Sequence, residues 1–289
     1  MGEPESGVRS IERALAMLRC FRDDGPALGS AEIARRLGLP TSTAHRIARE
    51  LARDGFLEFD GRGYQLGPSV IELGLVAYRQ RGLSRVAPEL EHLQRVTSAT
   101  ADLAIRGGSH AVLVAGGSLR PELGVGLRRP LHSTALGKVL LAWERPGGGE
   151  VADLAPLPAL TDRTIVEPDR LRAEIQRVRK DGYAMNDGES AVGIRSVAVP
   201  ILDRTMRVRF ALAVRATPEV LPEPRIPWVL GQARACAKAL QILLLAPEER
   251  LPPPGPSTSA PRPQTQHLCF PPPDRHFCSP PRIRHFLFF

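Results

Sequence analysis

The sequence predicts an α+β protein with a winged helix-turn-helix at its N-terminus and a mixed α/β domain after it. Two observations support this prediction. Residues 30–66 contain two short amphipathic helices, a tight turn between them and a pair of strands, in that order. Residues 83–246 alternate helical and strand patterns over a length that suits one domain. The expected organisation is therefore a winged helix at 1–67, a linker helix at 68–82, an α/β domain at 83–246 and a Pro-rich tail at 247–289.

The N-terminal helices are predicted from their apolar spacing and from their end signals. Residues 10–21 form a first, supporting helix. Ser30 is expected to cap the second helix, and Gly38 to end it in a left-handed conformation. Pro40 cannot continue that helix, so Thr41 is expected to cap a third. The third helix turns its apolar residues inward: Ala44, Ile47, Ala48 and Leu51.

The outward face of the third helix is rich in hydrogen-bond donors. Small hydroxyls allow a helix to approach the DNA backbone, and Arg and His side chains reach base edges or phosphates. The hairpin that follows carries Arg62 at its Gly-rich tip, where it can contact phosphate. A solvated helix pair with an ordinary hairpin is the alternative interpretation. The sequence predicts binding to double-stranded DNA through Ser30, Thr41, Ser42, Thr43, His45, Arg46, Arg49 and Arg62.

The charge distribution indicates that DNA binding depends on individual side chains and not on the net charge of the domain. The net charge of the chain is +8, yet residues 1–67 contain ten arginines and ten acidic residues. The basic excess lies in residues 68–246, with 24 basic against 18 acidic side chains, and in the tail. Phosphate contacts dominate affinity for DNA. The DNA affinity of a domain with no net charge therefore depends on where its arginines lie and on pairing with a second copy. We therefore expect a homodimer or homotetramer on a pseudo-palindromic operator.

Metal, membrane and secretory functions are not expected. The sequence has no apolar run of membrane-spanning length and no signal-peptide pattern at MGEPESGVRS, which predicts a soluble, cytoplasmic protein. The four cysteines form no C-x-x-C pair and have no zinc spacing. We expect reduced thiols, with Cys20 and Cys236 in the core and Cys269 and Cys278 in the tail, and no metal or cofactor.

The sequence lacks a recognisable catalytic constellation. His132 has neither a fixed carboxylate partner nor a G-x-S-x-G nucleophile elbow nearby, so it is expected to form hydrogen bonds at a helix start. Lys138 is expected to be structural or to face a dimer contact. No glycine pair opens a helix in the manner of a phosphate loop. We predict that the chain is not an enzyme; an enzyme or metabolite-sensing protein that carries a winged helix is the alternative.

Several segments resemble the IclR-type bacterial transcriptional regulators. They are SIERALAMLRCF, SAEIARRLGLPTSTAHRIARELARDGFLE, YQLGPSVIELG, RRPLHSTALGKVLLA and DGYAMNDGESAVGIRSVAVPILD. They occur in the family's order and at close to its spacing between Val8 and Leu245. The resemblance implies a DNA-binding winged helix, a linker helix that helps dimerisation, and a C-terminal domain with a GAF-like sheet that binds a small organic effector.

The resemblance also implies an effector site. The family's pocket positions correspond here to Arg129, Ala135, Leu136, Asn186, Ser196, Ala213 and Arg215. Asn186, Ser196 and Arg215 depart from the commoner pattern, which has an acid, a Cys and a Ser at these positions. One lost negative charge and one added guanidinium favour an anionic ligand, so we expect a small organic acid bound by Arg215. The alternative is that Arg215 faces solvent or pairs with Asp187 or Glu189.

The last 43 residues differ from the rest of the chain. They hold 12 of its 28 prolines and end in RHFLFF. This composition predicts a disordered or extended tail from Pro247. An altered reading frame at the end of the gene and a genuine partner-binding tail are both compatible with it.

Overall fold

The computed structural model describes residues 5–22, 27–117, 127–144 and 151–251. The N-terminal part and the linker contain α1 (Glu5–Arg19), α2 (Ser30–Leu37), α3 (Thr41–Arg53), β1 (Leu57–Phe59), β2 (Tyr64–Leu66) and α4 (Pro68–Gln80). The helices that follow are α5 (Ala87–Thr97), α6 (Ala135–Ala142), α7 (Pro168–Asp181) and α8 (Ile226–Leu244). The strands among them are β3 (Thr100–Gly107), β4 (His110–Gly116), β5 (Arg128–Pro130), β6 (Ala184–Asp187), β7 (Arg195–Leu202) and β8 (Val208–Ala216).

Three helices and a hairpin share a small core in the N-terminal part. The buried side chains are Met17, Leu28, Ile33, Ala34, Ala44, Ala48, Leu57 and Tyr64. Ile47 and Leu51 pack against them, so the predicted inward face of α3 is confirmed. Gly38 has φ +60°, the left-handed conformation expected at the end of α2.

The expected helix caps were wrong at both positions. Ser30 and Thr41 are the first residues inside α2 and α3, and the N-caps are Gly29 and Pro40, which have no side-chain acceptor. Gly29 and Pro40 both have extended backbones, which is the conformation an N-cap needs. The hydroxyls of Ser30 and Thr41 are therefore not used to cap their own helices.

The predicted hairpin after α3 is present and has a closed tip. Leu57 lies opposite Leu66, and Phe59 opposite Tyr64. The Asp60 carboxylate accepts hydrogen bonds from the backbone N–H groups of Arg62 and Gly63, both at 2.8 Å. These two bonds lower the pKa of Asp60. The tip that presents Arg62 is thus fixed by an Asx-type turn.

The C-terminal domain contains one antiparallel sheet of six strands in the order β5-β4-β3-β8-β7-β6. The predicted strands β3, β4, β7 and β8 form its centre. The edge strands β5 and β6 were not predicted, because they have only three and four residues and contain charged or polar side chains. Segments this short carry too little alternation on their own, and the equally short β1 and β2 were identified by the Gly-rich turn between them.

The two faces of the sheet differ in side-chain size. One face carries large residues, among them Leu103, Val199 and Phe210, which pack under α5 and α8. The other face carries small ones, and α6 lies across it with α7 behind. The small residues are Ala104, Ala111, Ala184, Ala198, Ala211 and Ala213. A helix can approach a sheet closely only where the facing side chains are this small.

Gly137 allows a second close contact of α6. A Cβ atom at this position would lie 2.2 Å from the carbonyl oxygen of Leu131 and 2.3 Å from its Cα. Both atoms belong to the backbone, so a side chain at position 137 would force the turn before α6 away. The turn at residues 131–134 and the first turn of α6 are thereby held together.

The folded part of the C-terminal domain extends past its expected end at Leu245 or Ala246. Glu249 accepts a hydrogen bond from the Arg209 side chain at 2.6 Å, and its carbonyl oxygen accepts one from the backbone N–H of Arg204 at 2.7 Å. These contacts move the start of the proposed tail from Pro247 to Pro252. The remainder of the tail, with Cys269 and Cys278, lies outside the described residues. Within the described residues, no helix is long and apolar enough to cross a membrane.

Candidate nucleic-acid interface and ligand cavity

The predicted DNA-contacting residues lie on two helices and the wing of the N-terminal part. Ser30 begins α2 and is half-buried, and Arg62 is exposed at the hairpin tip. Thr43 is half-buried on α3. The other five are exposed on α3: Thr41, Ser42, His45, Arg46 and Arg49. The exposed donors therefore lie on α3 and at the wing tip, with half-buried Ser30 at the start of α2.

The arginines of α2 and α3 fall into two groups. Arg35 and Arg36 both bind Glu32, at 2.7 and 2.6 Å, and these hydrogen bonds lower the pKa of Glu32. Arg53 is similarly bound, at 2.6 Å, to a glutamate one turn earlier on α3. Arg46 and Arg49 have no ion pair among the described residues. Their guanidinium groups are therefore available to DNA without breaking a bond inside the protein.

The second feature is a cavity of about 250 Å³ between the first turn of α6 and the sheet. Its walls include all seven residues of the expected effector site: Arg129, Ala135, Leu136, Asn186, Ser196, Ala213 and Arg215. Six further residues, which the sequence did not indicate, complete it: Asp102, Leu113, Thr134, Ser190, Ala191 and Ile194. The cavity thus brings together side chains from β3, β5, β8 and the loop between β6 and β7.

Strand register explains why polar side chains meet in the cavity. Asn186 lies opposite Ser196, and Ser196 lies opposite Arg215, so the three form one row across β6, β7 and β8. The next row on this face contains Ala198 and Ala213, which lie under α6. Side chains two residues apart on a strand share a face. The polar residues therefore lie on the same face of the sheet as the alanines, just beyond the first turn of α6.

Arg215 has a partner that was not predicted. Its Nε donates to Oδ2 of Asp102 at 3.0 Å, across the paired strands β3 and β8. Asp102 is almost fully buried, with 3% of its side chain exposed. Arg215 binds neither Asp187 nor Glu189, so that part of the alternative interpretation was wrong, and its side chain is 27% exposed. Asp102 gives Arg215 an anionic partner inside the protein, so Arg215 does not need a bound acid to balance its charge.

Arg129 is the guanidinium in the cavity that lacks a protein partner among the described residues. It lies on β5, where its backbone pairs with Ala111. Burial lowers the pKa of Arg129, the positive charge of Arg215 adds to that shift, and Asp102 opposes it. Arginine stays protonated despite such shifts. The walls therefore carry two positive charges and one negative charge.

The first turn of α6 adds further positive potential. The side chain of Thr134 accepts a hydrogen bond from the Gly137 N–H at 3.0 Å and donates one to the Pro130 carbonyl at 2.8 Å. Ala135 and Leu136, the first two residues of the helix, line the cavity. The first N–H groups of a helix have no acceptor within it and carry partial positive charge. Anions bind favourably at such a position.

Asn186 holds the loop that closes one side of the cavity. Its Oδ1 accepts the backbone N–H groups of Glu189 and Ser190, at 2.8 and 3.3 Å, and its Nδ2 donates to the Ser190 hydroxyl at 2.8 Å. Most of the hydrogen-bonding capacity of Asn186 is therefore used within this loop. One N–H of its amide remains for a ligand, since an amide nitrogen has two.

Comparison with known proteins agrees with both parts of this geometry. A family model described as "IclR helix-turn-helix domain" matches residues 10–61, and "Bacterial transcriptional regulator IclR C-terminal" matches residues 78–242. The chain belongs to the IclR family of bacterial transcriptional regulators. The resemblance found in the sequence is confirmed.

Relatives of this IclR-family chain are regulators. It is 36% identical to the glycerol operon regulatory protein of Streptomyces coelicolor, over 81% of this chain and 95% of the relative. It is 31% identical to the Pca regulon regulatory protein of Pseudomonas putida, over 81% and 84%. An IclR homologue from Microbacterium hydrocarbonoxydans, solved in complex with 4-hydroxybenzoate, superposes with a TM-score of 0.65 at 27% identity, over 81% of this chain and 98% of that one. The protein is therefore a DNA-binding transcriptional regulator and not an enzyme.

A buried ion network ties the cavity loop of this IclR-family protein to α6. Lys138 is 1% exposed, and its Nζ donates to Glu189 at 2.5 Å, to Glu174 at 3.2 Å and to the Met185 carbonyl at 3.0 Å. Burial raises the pKa of Glu189. Hydrogen bonds from Arg177 and Lys138 outweigh burial at Glu174 and lower its pKa. Lys138 is thus a structural residue, as the sequence indicated.

His132 and Ser133 have no place in the cavity. His132 is buried, and its Nε2 donates to the Pro158 carbonyl at 3.0 Å, as expected for a hydrogen-bond former at a helix start. Ser133 is fully buried in the same turn. No cluster of three or more His, Cys, Asp or Glu side chains that suits a metal ion occurs in the described part of the chain.

Replacement of Lys138 by methionine should destabilise the domain. The Lys138→Met variant leaves Glu174 and Glu189 buried without their shared cation, which costs about 3–5 kcal/mol of unfolding free energy at pH 7. The Glu189 carboxyl would then keep a folded-state pKa above its unfolded value without its cation, whereas Arg177 still binds Glu174, so the loss shrinks as the pH falls toward about 4.3. Urea unfolding across this pH range measures both effects.

Lys180→Met is the matched control, since Lys180 is exposed on α7 and its replacement should change stability by less than about 0.5 kcal/mol. Addition of Glu189→Gln to Lys138→Met should restore part of the loss. Equal unfolding free energies for the Lys138 and Lys180 variants would contradict the structural role of the network.

Proposed function

We propose that this regulator binds a pseudo-palindromic operator as a homodimer or homotetramer in the cytoplasm, and that a small organic acid in the α6 cavity changes its operator affinity. The observation that carries the proposal is the cavity itself, with two guanidinium groups against one carboxylate beside a helix N-terminus. The eight donor residues on α2, α3 and the wing are proposed to contact DNA. The seven predicted cavity residues are proposed to contact the effector.

The size and charge of the cavity support a small acid. A volume of about 250 Å³ is below the range of roughly 300–1,000 Å³ found for drug-sized ligands. Leu113, Leu136 and Ile194 give it apolar walls, and Arg129 gives it an unpaired cation. A carboxylate binds a guanidinium through two parallel charge-assisted hydrogen bonds. That a homologue was solved with 4-hydroxybenzoate, an organic acid, favours the same ligand class.

Exposed apolar side chains on α4 and α1 support self-association. In α4, Ile71 and Leu75 are 64% and 58% exposed and lie one turn apart on the same face. Ile11 and Leu15 are similarly exposed and spaced on α1. Exposed patches of this kind mark interaction surfaces. Two winged-helix domains in a dimer would also supply the DNA affinity that one domain without net charge lacks.

Sedimentation velocity tests self-association directly. The full chain should sediment as a dimer or tetramer at micromolar concentration, and the double variant Ile71→Glu/Leu75→Glu should sediment as a monomer with at least tenfold weaker operator binding. Val192→Glu is the control, since Val192 is 86% exposed far along the chain on the cavity loop. A wild-type monomer that binds one half-site with full affinity would refute this part of the proposal.

The linker helix provides a route from effector to operator. The helix α4 joins the winged helix to the domain that contains the cavity. A ligand that binds more tightly to one arrangement of the two winged helices in a dimer therefore shifts the population toward that arrangement. The change in operator affinity equals the difference in ligand affinity between the two arrangements.

Arg46 and Arg49 should carry contacts from α3 to DNA. If Arg46 reads a base, Arg46→Ala lowers operator affinity by about 1–3 kcal/mol and relaxes specificity at that base pair. If Arg49 contacts phosphate, Arg49→Ala weakens binding to all sequences alike and reduces the salt slope by about one. Fluorescence anisotropy at several salt concentrations, with the operator and a scrambled duplex, distinguishes the two effects.

Arg170→Ala is the control for charge removal, since Arg170 lies exposed on α7 and pairs with Glu167. It should leave operator affinity unchanged. Unaltered affinity and salt slope in both α3 variants would mean that another helix enters the groove.

Arg129→Gln should weaken acid binding about tenfold or more, because a hydrogen bond between charged partners contributes roughly 1.5–3 kcal/mol. Calorimetry with benzoate, lactate and 2-oxoglutarate beside their amides should show preference for the acids in the wild type. Arg128→Gln is the matched control, since the Arg128 guanidinium binds His110 Nδ1 at 2.8 Å outside the cavity. Equal binding of acids and amides, or undiminished acid binding without Arg129, would overturn the organic-acid proposal.

A further inference from the structure

The Asp102 carboxylate has an unused hydrogen-bonding position at the cavity. Its Oδ2 accepts from Arg215 Nε at 3.0 Å, and its Oδ1 has no hydrogen-bond partner among the described residues. The side chain is 97% buried and lines the cavity. A buried carboxylate oxygen without a donor loses its hydration and gains nothing in return. Such an atom is a marker for a missing donor.

We propose that the effector is a hydroxy acid, whose carboxylate binds Arg129 and whose hydroxyl group donates to Asp102. This inference rests on the proposed organic-acid effector and adds to it a second, uncharged recognition point. The two cavity arginines lie on β5 and β8, on either side of β3, which carries Asp102. A ligand in this cavity therefore reaches a cation and an acceptor together.

The donor is a hydroxyl and not an ammonium group because of the charges around it. Arg215 already neutralises Asp102, and Arg129 lies close enough to Arg215 for each charge to be felt by the other. An ammonium group would add a third cation to this cluster and be repelled. A hydroxyl group supplies one donor without charge.

A small rotation gives the ligand access to the free oxygen. Oδ1 is enclosed in the structure, but the last torsion of an aspartate is broad and roughly two-fold. The proposal requires a partial rotation about this bond that turns one oxygen toward the cavity while Arg215 keeps its hydrogen bond to the other.

The sequence contains a sign of this role. Asp102 is the acidic residue inside the segment ATADLAIRG, where the neighbouring side chains of β3 are apolar and buried. A carboxylate in an otherwise apolar central strand is costly to bury without a specific purpose. Its ion pair with Arg215 accounts for one oxygen only.

The test compares hydroxy acids with matched acids that cannot donate. Calorimetry on the full chain uses 2-, 3- and 4-hydroxybenzoate against the corresponding fluorobenzoates, and lactate against propionate. Fluorine is close to a hydroxyl in size and has no proton to donate. At least one hydroxy acid should bind about 10- to 100-fold more tightly than its partner, as expected for a hydrogen bond to a charged acceptor.

Asp102→Asn should reduce that ratio to about threefold or less. It should leave the affinity for the fluoro or deoxy acid unchanged or higher, because one negative charge leaves the cavity. Asp169→Asn is the matched control, since Asp169 is 94% exposed on α7, and it should keep the wild-type ratio. Even if the Asp102 variant does not fold, a wild-type ratio near one overturns the inference.

Each failure has a separate meaning. Acids that bind better than amides but show no hydroxyl preference would overturn this inference and leave the organic-acid effector standing. A hydroxyl preference that persists in Asp102→Asn would also overturn it, since another group would then recognise the hydroxyl. Tighter binding of alanine than of lactate would replace the hydroxyl by an ammonium group. Absence of binding by every acid would overturn both proposals.

Discussion

The close approach of α6 to the sheet is the constraint on which the cavity depends. Small residues on the facing strands, such as Ala198 and Ala213, leave room for the helix, and Gly137 leaves room for the backbone of Leu131. The first turn of α6 consequently ends above a row of polar side chains. A larger residue at any of these positions would lift the helix and open the cavity to water.

The buried charges of the domain have two roles. A charge with partners inside the protein holds the structure, and a charge without them is available to a ligand. Lys138 meets two carboxylates and a carbonyl, so its charge is compensated and it fixes the position of the cavity loop. The cavity walls hold more positive than negative charge, with Arg129 unpaired among the described residues. A compensated charge can be buried and fixes the groups that bind it, whereas an excess charge at a cavity favours a ligand of opposite charge.

The sequence predicted what depends on local periodicity and missed what depends on distant contacts. Helical spacing identified α3 and its inward face, and the family resemblance identified seven positions that meet at one cavity. The edge strands β5 and β6 were too short to give a pattern. The ion pair of Asp102 and Arg215 joins residues 113 positions apart, and only the register of β3 and β8 brings them together. The predicted N-caps were wrong because an N-cap needs an extended backbone and does not require a hydroxyl.

The separation of alanine rows from the polar row has an evolutionary consequence. The polar side chains of the cavity, Asn186, Ser196 and Arg215, form one row, and Ala198 and Ala213 form the next row under α6, where Ala213 also lines the cavity. Substitutions at Asn186, Ser196 or Arg215 therefore change the chemistry of the cavity while the packing under the helix stays intact. A regulator of this design can acquire a response to a new metabolite through a few point mutations, without first evolving a new scaffold.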